Sequence, residues 1–489
     1  MWRRSREVPA GDLAALLHEL ATPGCLLCGA AERALSSFYF WYLNEQYHEP
    51  PVVTRVQSAH GFCRRHTLHL LVRAGAGTVT SIYRLAVPAW AELARRLETG
   101  SGRRDGEGPA LAARARPSAA CPACEQEGRT LERTLRGLHR AVADPETAAR
   151  VVRSRAICLT HLLAAAPSLS WTGLRTLTEA ALHGLGEGGV EGLWGTDGDA
   201  AVRVRAGGAR SEPASGPGPE ARSTSLADLH RLLGGAACPL CSAGLTSVDR
   251  YLRWLEREVF EPAHRWSEAT VLCPVHAHDL ASRAAPASIA ALAAAARSEW
   301  TARLRELHAG LERRPPESPF VRLLDLPEQL RRTGDGGRSG WRRWRPALAA
   351  VLEPPERRLG RLRDRALNRP PCPACRHAAA AVERWSQLLA AALDDPGTAR
   401  RYARSHGVCL RHLPAVLGRC RGSSAAGLLL RSMRVRLELL AWELEEAQRK
   451  AGWDLRHEPA GGERTAWRRA ASLASGAVLE PGLPVGLSS

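Results

Sequence analysis

The sequence predicts an all-α protein of four tandem helical modules joined by flexible linkers, and three observations carry that prediction. A pattern of paired cysteines returns four times in 489 residues. Each return encloses apolar residues at helical rather than alternating spacing. The stretches between returns shift toward Gly, Pro, Ser and Arg, the composition of loops and linkers.

The cysteine pattern is CxxC followed by CxxH. Its copies are Cys25 and Cys28 with Cys63 and His66, Cys121 and Cys124 with Cys158 and His161, Cys238 and Cys241 with Cys273 and His276, and Cys372 and Cys375 with Cys409 and His412. The third cysteine follows the second by 35, 34, 32 and 34 positions, so the enclosed segment has nearly constant length. Of 13 cysteines only Cys420 stands outside the pattern. Three cysteines and one histidine, delivered as two close pairs, suit a tetrahedral Cys3His zinc site. The expectation is four Zn(II) per chain, each copy closing its own site.

Helical periodicity fills the gaps. Leu35, Phe38, Tyr39, Tyr42 and Leu43 follow the spacing of one buried helix face. Seven residues after the second cysteine of each copy stand Leu35, Leu131, Val248 and Val382, and fourteen after it Tyr42, Leu138, Leu255 and Leu389. A step of seven returns to nearly the same side of a helix, so one core face is shared by all copies.

Copies two and four align without a gap at a constant offset of 251, and Asp144-Pro145 recurs as Asp395-Pro396. This is an internal duplication. Asp before Pro is also a helix start, with Asp as N-cap and Pro at the first helical position. A second short helix therefore leads toward each CxxH, and longer helices follow near Thr78 to Leu97, Trp171 to Leu185, Ser288 to Leu311 and Ala425 to Arg449. Pro88 is expected to kink the first of these.

The modules expected are residues 1–99, 119–186, 225–312 and 371–452. Between them lie a linker at 100–118, a Gly/Pro/Ser-rich linker at 187–224 and an Arg/Pro/Trp-rich linker at 313–370, with a flexible tail at 453–489. Gly and Pro total 44 and 32, in keeping with such linkers.

The formal charge of +18 comes almost wholly from arginine, since Lys450 is the single lysine. Arginine with abundant Ala, Gly and Pro reads as the codon bias of a high-GC bacterial genome, although the field attracts polyanions whatever its origin. The basic start at Met1 is followed by Asp12, His18 and Glu19, which interrupt any signal-peptide core. The alanine-rich run 284–296 is too short and too weakly apolar to span a bilayer. Cysteines spaced for metal rather than for disulfides fit a reducing cytoplasm.

Three thiolates and a neutral imidazole leave Zn(II) with a formal charge of −1. The helix starts at Cys121-Pro122, Cys238-Pro239 and Cys372-Pro373 can offset it with free amides and the positive end of the dipole, and Arg64, Arg65 and Arg411 stand close enough in sequence to add compensation. Such a site is structural, because catalytic zinc keeps an open position and fewer thiolates. Thioredoxin-like chemistry lacks its βαβ surroundings, and haem attachment fails because Gly29, Glu125, Ser242 and Arg376, not His, follow each CxxC. His60, His69, His278 and His377 lie near the ligands but outside the four sets, and Cys420 reads as a buried or incidental thiol.

A candidate polyanion-binding segment is Arg338, Trp341, Arg342, Arg343, Trp344 and Arg345, where guanidinium groups interleave with ring faces able to stack on bases. The plainer reading of that run is a solvated linker whose tryptophans dock on a module.

The CxxC pair, the aromatic run Phe38-Tyr39-Phe40-Trp41-Tyr42 and Gly61-Phe62-Cys63-Arg64-Arg65-His66 resemble a bacterial family of uncharacterised proteins, a domain of unknown function with CPLC and GFCRRH motifs. The match is best over residues 20–98, where Cys-Leu-Leu-Cys lacks the family's proline, and later copies lose Gly-Phe. The resemblance implies a helical, metal-binding, cytoplasmic protein and brings no activity, substrate or catalytic residue.

These readings lead to a non-enzymatic zinc-binding protein acting as a protein-interaction scaffold or regulatory adaptor, whose partner is another protein and for which no small-molecule substrate is inferred. The alternatives are nucleic-acid binding through Arg and Trp, and a zinc-thiolate redox sensor.

Overall fold

The Cys-Pro and Asp-Pro steps do start helices, and the lengths of those helices decide where the ligand pairs end up. The computed structural model describes residues 24–100, 106–154, 156–187, 193–195, 225–258, 272–282, 286–312, 353–368, 370–455 and 457–477. Among them there is no β-strand. In chain order the α-helices are α1 (Leu26–Trp41), α2 (Pro50–Ser58), α3 (Arg64–Arg73), α4 (Ala76–Gly100), α5 (Gly108–Arg114), α6 (Pro122–Ala141), α7 (Pro145–Arg153), α8 (Leu159–Ala165), α9 (Trp171–Glu187), α10 (Leu226–Leu233), α11 (Pro239–Glu258), α12 (Pro274–Ala281), α13 (Pro286–Glu312), α14 (Pro355–Leu367), α15 (Pro373–Ala392), α16 (Pro396–Arg404), α17 (Leu413–Leu417), α18 (Ser423–Lys450) and α19 (Ala466–Ser475).

The predicted helix starts hold at atomic detail. Asp144 accepts a hydrogen bond from the Thr147 amide at 2.8 Å, and Asp395 accepts one from the Thr398 amide at 2.7 Å. Both aspartates are N-caps followed by proline at the first helical position. The four long helices match the predicted ends to within three residues, and α4 runs from Ala76 to Gly100 with Pro88 inside it. Tyr42, Leu138, Leu255 and Leu389, the four equivalent positions read from the sequence, are all buried.

In the first, second and fourth repeats a long helix goes out and a short one returns. Helix α6 has 20 residues and α7 has 9, as do α15 and α16. At 1.5 Å per residue the outgoing leg is about 30 Å and the returning helix about 14 Å.

Backbone contacts divide the chain into two units. The first comprises Met1–Ala30, Leu131–Thr196 and Ala263–Pro371; the second comprises Ala31–Thr130, Asp197–Pro262 and Cys372–Ser489. In the first, α9 packs on α7 and α13, and α13 on α14. Trp171 donates its indole N–H to the Leu311 carbonyl at 2.6 Å, so the start of α9 is tied to the end of α13.

In the second unit the core forms along α4 and α18. Val79, Tyr83, Ala86, Trp90 and Leu97 lie on one stripe of α4, and Leu430, Met433, Leu437 and Leu444 on one stripe of α18. The rim of the pair fixes its direction. Ser81 bonds Gln448, Arg84 pairs with Glu445 and Glu98 with Arg431 and Arg434, so the helices are antiparallel. Helices α11 and α15 form a second long pair.

Two segments expected to be loose are packed. Residues 108–114, inside the predicted 100–118 linker, form α5, and its Leu111 and Ala112 are buried on the side of α17. The predicted flexible tail contains α19, where Ala466, Trp467, Ala470, Ala471 and Ala474 are buried. Arg469 pairs there with the buried Glu443 at 2.7 Å, and Lys450 with Glu463 at 3.0 Å. Alanine spacing in an alanine-rich chain hid this helix, because small side chains give little amphipathic contrast. The Arg338–Arg345 segment lies outside the described residues.

Candidate metal centres

All sixteen ligands named from the sequence converge in groups of four, but the groups are not the sequence repeats. Cys25 and Cys28 meet Cys158 and His161; Cys121 and Cys124 meet Cys63 and His66; Cys238 and Cys241 meet Cys409 and His412; Cys372 and Cys375 meet Cys273 and His276. Each CxxC is completed by the CxxH of a neighbouring copy. Copies one and two exchange ligands, and so do three and four. The expectation that each repeat closes its own site is therefore corrected, although every residue in it stands.

The geometry of a group follows from local structure. Cys63, Cys158 and Cys273 are the N-caps of α3, α8 and α12, with extended backbone, and the histidine three positions on lies in the first turn. The fourth copy places Cys409 and His412 in a turn instead, with the His412 amide bonded to the Cys409 carbonyl at 3.0 Å. The CxxC pairs sit where α1, α6, α11 and α15 begin, so free helix N–H groups and the positive dipole end lie beside the sulfurs.

Distances test whether a metal fits. A tetrahedral ion with Zn–S near 2.3 Å and Zn–N near 2.0 Å sets edges of roughly 3.8 Å between sulfurs and 3.6 Å between sulfur and nitrogen. Cys28 Sγ lies 3.9 Å from Cys158 Sγ, Cys63 Sγ 3.7 Å from Cys124 Sγ and Cys241 Sγ 3.7 Å from Cys409 Sγ. His161 Nδ1 lies 3.3, 3.4 and 3.4 Å from Cys25, Cys28 and Cys158. His66 Nδ1 is 3.4, 3.5 and 3.2 Å from Cys63, Cys121 and Cys124, and His412 Nδ1 is 3.6, 3.2 and 3.5 Å from Cys238, Cys241 and Cys409. His276 Nδ1 lies 3.2 Å from Cys273 Sγ. The sulfurs are far beyond the disulfide bond length of about 2.05 Å. The donor sets fit tetrahedral metal, with Nδ1 as the imidazole ligand throughout.

Electrostatics also call for a cation. Hydrogen bonds with Cys158 and Cys25 hold the Cys28 thiol far below its ordinary value, while Cys121 and Cys63 drive Cys124 far above. Burial pushes the His66 imidazole down, yet the Cys121 and Cys63 sulfurs outweigh it and raise it to about 9. His161 is likewise raised to about 10 against its burial, by Cys25 and Cys28. Three sulfurs and an imidazole this close cannot all be deprotonated without a compensating positive charge. A bound divalent ion would supply it and displace the protons.

The surroundings of the sites are partly as expected. Arg65 donates to both carboxylate oxygens of Glu127, at 3.0 and 2.9 Å, and a Glu127 oxygen stands 3.6 Å from His66 Nε2. The arginine thus acts through a carboxylate that faces the ligand imidazole. Arg411 turns elsewhere and donates to the Gly61 carbonyl at 3.3 Å. His60 and His69 are buried outside the ligand groups; His278 Nε2 lies 3.2 Å from the Gly195 carbonyl, and His377 stacks on Tyr251. Cys420 is buried, its thiol donating to the Val416 carbonyl at 3.4 Å, and burial pushes it up to about 12.

Two positional signals accompany the ligand pairs in the sequence. The residue before each CxxH cysteine, Phe62, Ile157, Leu272 or Val408, is fully buried. So is the residue before the second cysteine of each CxxC, namely Leu27, Ala123, Leu240 or Ala374. Each ligand pair is anchored by one apolar plug. A pair of glycines covers two of the groups, a feature that only the fold shows. Gly195 (φ 80°) and Gly476 (φ 72°) each lie against two sulfurs, and a Cβ there would stand 2.8 Å from Cys28 Sγ and 2.6 Å from Cys241 Sγ. These two sites correspond in the duplicated halves, so the same glycine cover occurs twice.

No described helix is long and apolar enough to cross a membrane. No family model matches this chain, and no curated protein or solved structure matches it.

Proposed function

We propose that the chain is a non-enzymatic scaffold or adaptor in which four structural Zn(II) ions cross-link the repeats and hold helical surfaces in place for a protein partner. The observation that carries this reading is that every ligand group takes its CxxC from one repeat and its CxxH from another. An ion bound in this way joins two repeats, and four side chains leave no coordination position for substrate or water. Binding energy then becomes folding energy of the joined pair. Thiolate ligands that must stay reduced favour a reducing cytoplasm as its location. The second reading, nucleic-acid binding, rests on the formal charge of +18.

Elemental analysis of gel-filtered protein, with no nuclease treatment, tests this reading. We expect about four zinc per chain and no phosphorus, and loss of helical circular dichroism when a strong chelator removes the metal. Bound phosphorus would favour the polyanion reading. Zinc loss with unchanged stability would overturn the structural role.

A further inference from the structure

We propose that Cys124 and Cys63 form an oxidation site, which hydrogen peroxide closes into a disulfide that empties one ligand group while the group beneath Gly476 keeps its metal. The inference rests on the metal reading above and adds an order of lability to it. Two ligand groups in the second unit differ in cover. Cys238, Cys241 and Cys409 are 1%, 9% and 0% exposed, and Gly476 lies against the last two sulfurs. In the other group Cys121 is buried, Cys63 is partly buried and Cys124 is exposed. An oxidant in solution therefore reaches Cys124 first, since susceptibility follows thiolate character and access.

The chemistry closes on these two sulfurs. The Cys124 thiolate attacks one oxygen of hydrogen peroxide, the O–O bond breaks, and Cys124 becomes a sulfenic acid as hydroxide leaves. Cys63 Sγ, 3.7 Å away, then attacks the Cys124 sulfur. The S–S bond forms, the S–O bond breaks and a second hydroxide leaves. Two electrons pass from the pair of sulfurs to the peroxide. A movement of about 1.7 Å brings the pair to the disulfide length of about 2.05 Å. Only the buried Cys121 and His66 then remain as donors, and two donors hold a divalent ion far more weakly than four. Ligand exchange between copies gives the bond a further consequence. Cys63 caps α3 and Cys124 lies in the first turn of α6, so the disulfide joins the same two helix starts as the ligand group. The junction stays closed when the metal is gone.

Peroxide treatment of the full-length, zinc-loaded protein tests this, read by zinc release into a chelating dye and by peptide mapping under non-reducing conditions. Zinc content before oxidation checks the metal reading separately. Protein that takes up no zinc overturns that reading, and this proposal with it. From loaded protein we expect the peptides of Cys63 and Cys124 to be joined first, with Cys238, Cys241 and Cys409 still reduced and helical circular dichroism retained. Cys124→His keeps a fourth donor but no oxidisable sulfur at that place, and should release about one zinc per chain less than the wild type at the same dose. The comparison is made by difference because Cys375 is exposed as well. Dithiothreitol with zinc should restore the full zinc content. Loaded protein in which Cys63 and Cys124 stay reduced, or oxidise no sooner than Cys238, Cys241 and Cys409, overturns the proposal alone, as does equal zinc release from Cys124→His. A Cys124 disulfide with Cys121 overturns the assignment of Cys63 as its partner, and loss of helicity as the disulfide forms overturns the closed junction.

Discussion

His60 holds a backbone φ of 51°, in the left-handed region, and its side chain is buried beside Arg411. Burial first, and then the neighbouring guanidinium, lower its imidazole to about 4. The unfolded chain, titrating near 6.5, therefore binds the extra proton between those values. Stability is retained above pH 6.5 and falls as pH drops toward 4. His60→Asn tolerates the same backbone and carries no titrating ring. Urea unfolding of both proteins at neutral pH and near pH 4.5 should show the wild type losing up to about 3 kcal/mol more than the variant across that window. An identical loss in both would show that His60 does not titrate there.

At the scale of elements, α19 matters for where it ends. Its C-terminal residue leads into Gly476, which lies against Cys241 and Cys409, while the Leu473 carbonyl accepts from the Leu410 amide at 2.8 Å. The helix thus brings a cover to a ligand group assembled from α11 and the turn before α17. Gly476→Val puts a β-branched residue at positive φ and a carbon on top of a sulfur. The expected cost is about 2 kcal/mol or more in thermal or urea unfolding, with earlier metal loss in a chelator titration. Gly427→Ala is the control. It lies within α18 with nothing within 4 Å of its added carbon, and should be neutral or slightly stabilising. Equal behaviour of the two variants would count against a metal-covering role for Gly476.

At the scale of the molecule, ligand exchange changes what each ion holds. Cys28 and Cys158 are 130 positions apart and Cys241 and Cys409 are 168 apart, against 32 to 35 had each repeat closed alone. The closure entropy removed from the unfolded chain grows only logarithmically, so the gain per site is about 1 kcal/mol. The larger consequence is that no copy is complete alone. Two double variants separate the arrangements. Cys63→Ser with Cys121→Ser strikes a single group here and should remove about one metal ion per chain. Cys25→Ser with Cys63→Ser strikes two groups and should remove about two. Metal counts in the opposite order would mean that each repeat closes its own site.

The sequence by itself determined the all-α class, the sixteen ligands, the Asp-Pro helix starts and the long helices, because each depends on chemistry within a few residues of itself. It also held the apolar plugs beside the ligands, which four aligned copies were enough to reveal. Which CxxC meets which CxxH was left to the tertiary structure, since every CxxC is an equally good half-site for every CxxH. The deciding quantity was geometric. An outgoing helix of 20 residues followed by a returning helix of 9 leaves the chain well short of its starting point, and the nearest matching half-site belongs to another copy. Tertiary packing likewise decided α5, α19 and the two covering glycines. Their alanines and glycines carry no local signal until a core or a metal site lies against them.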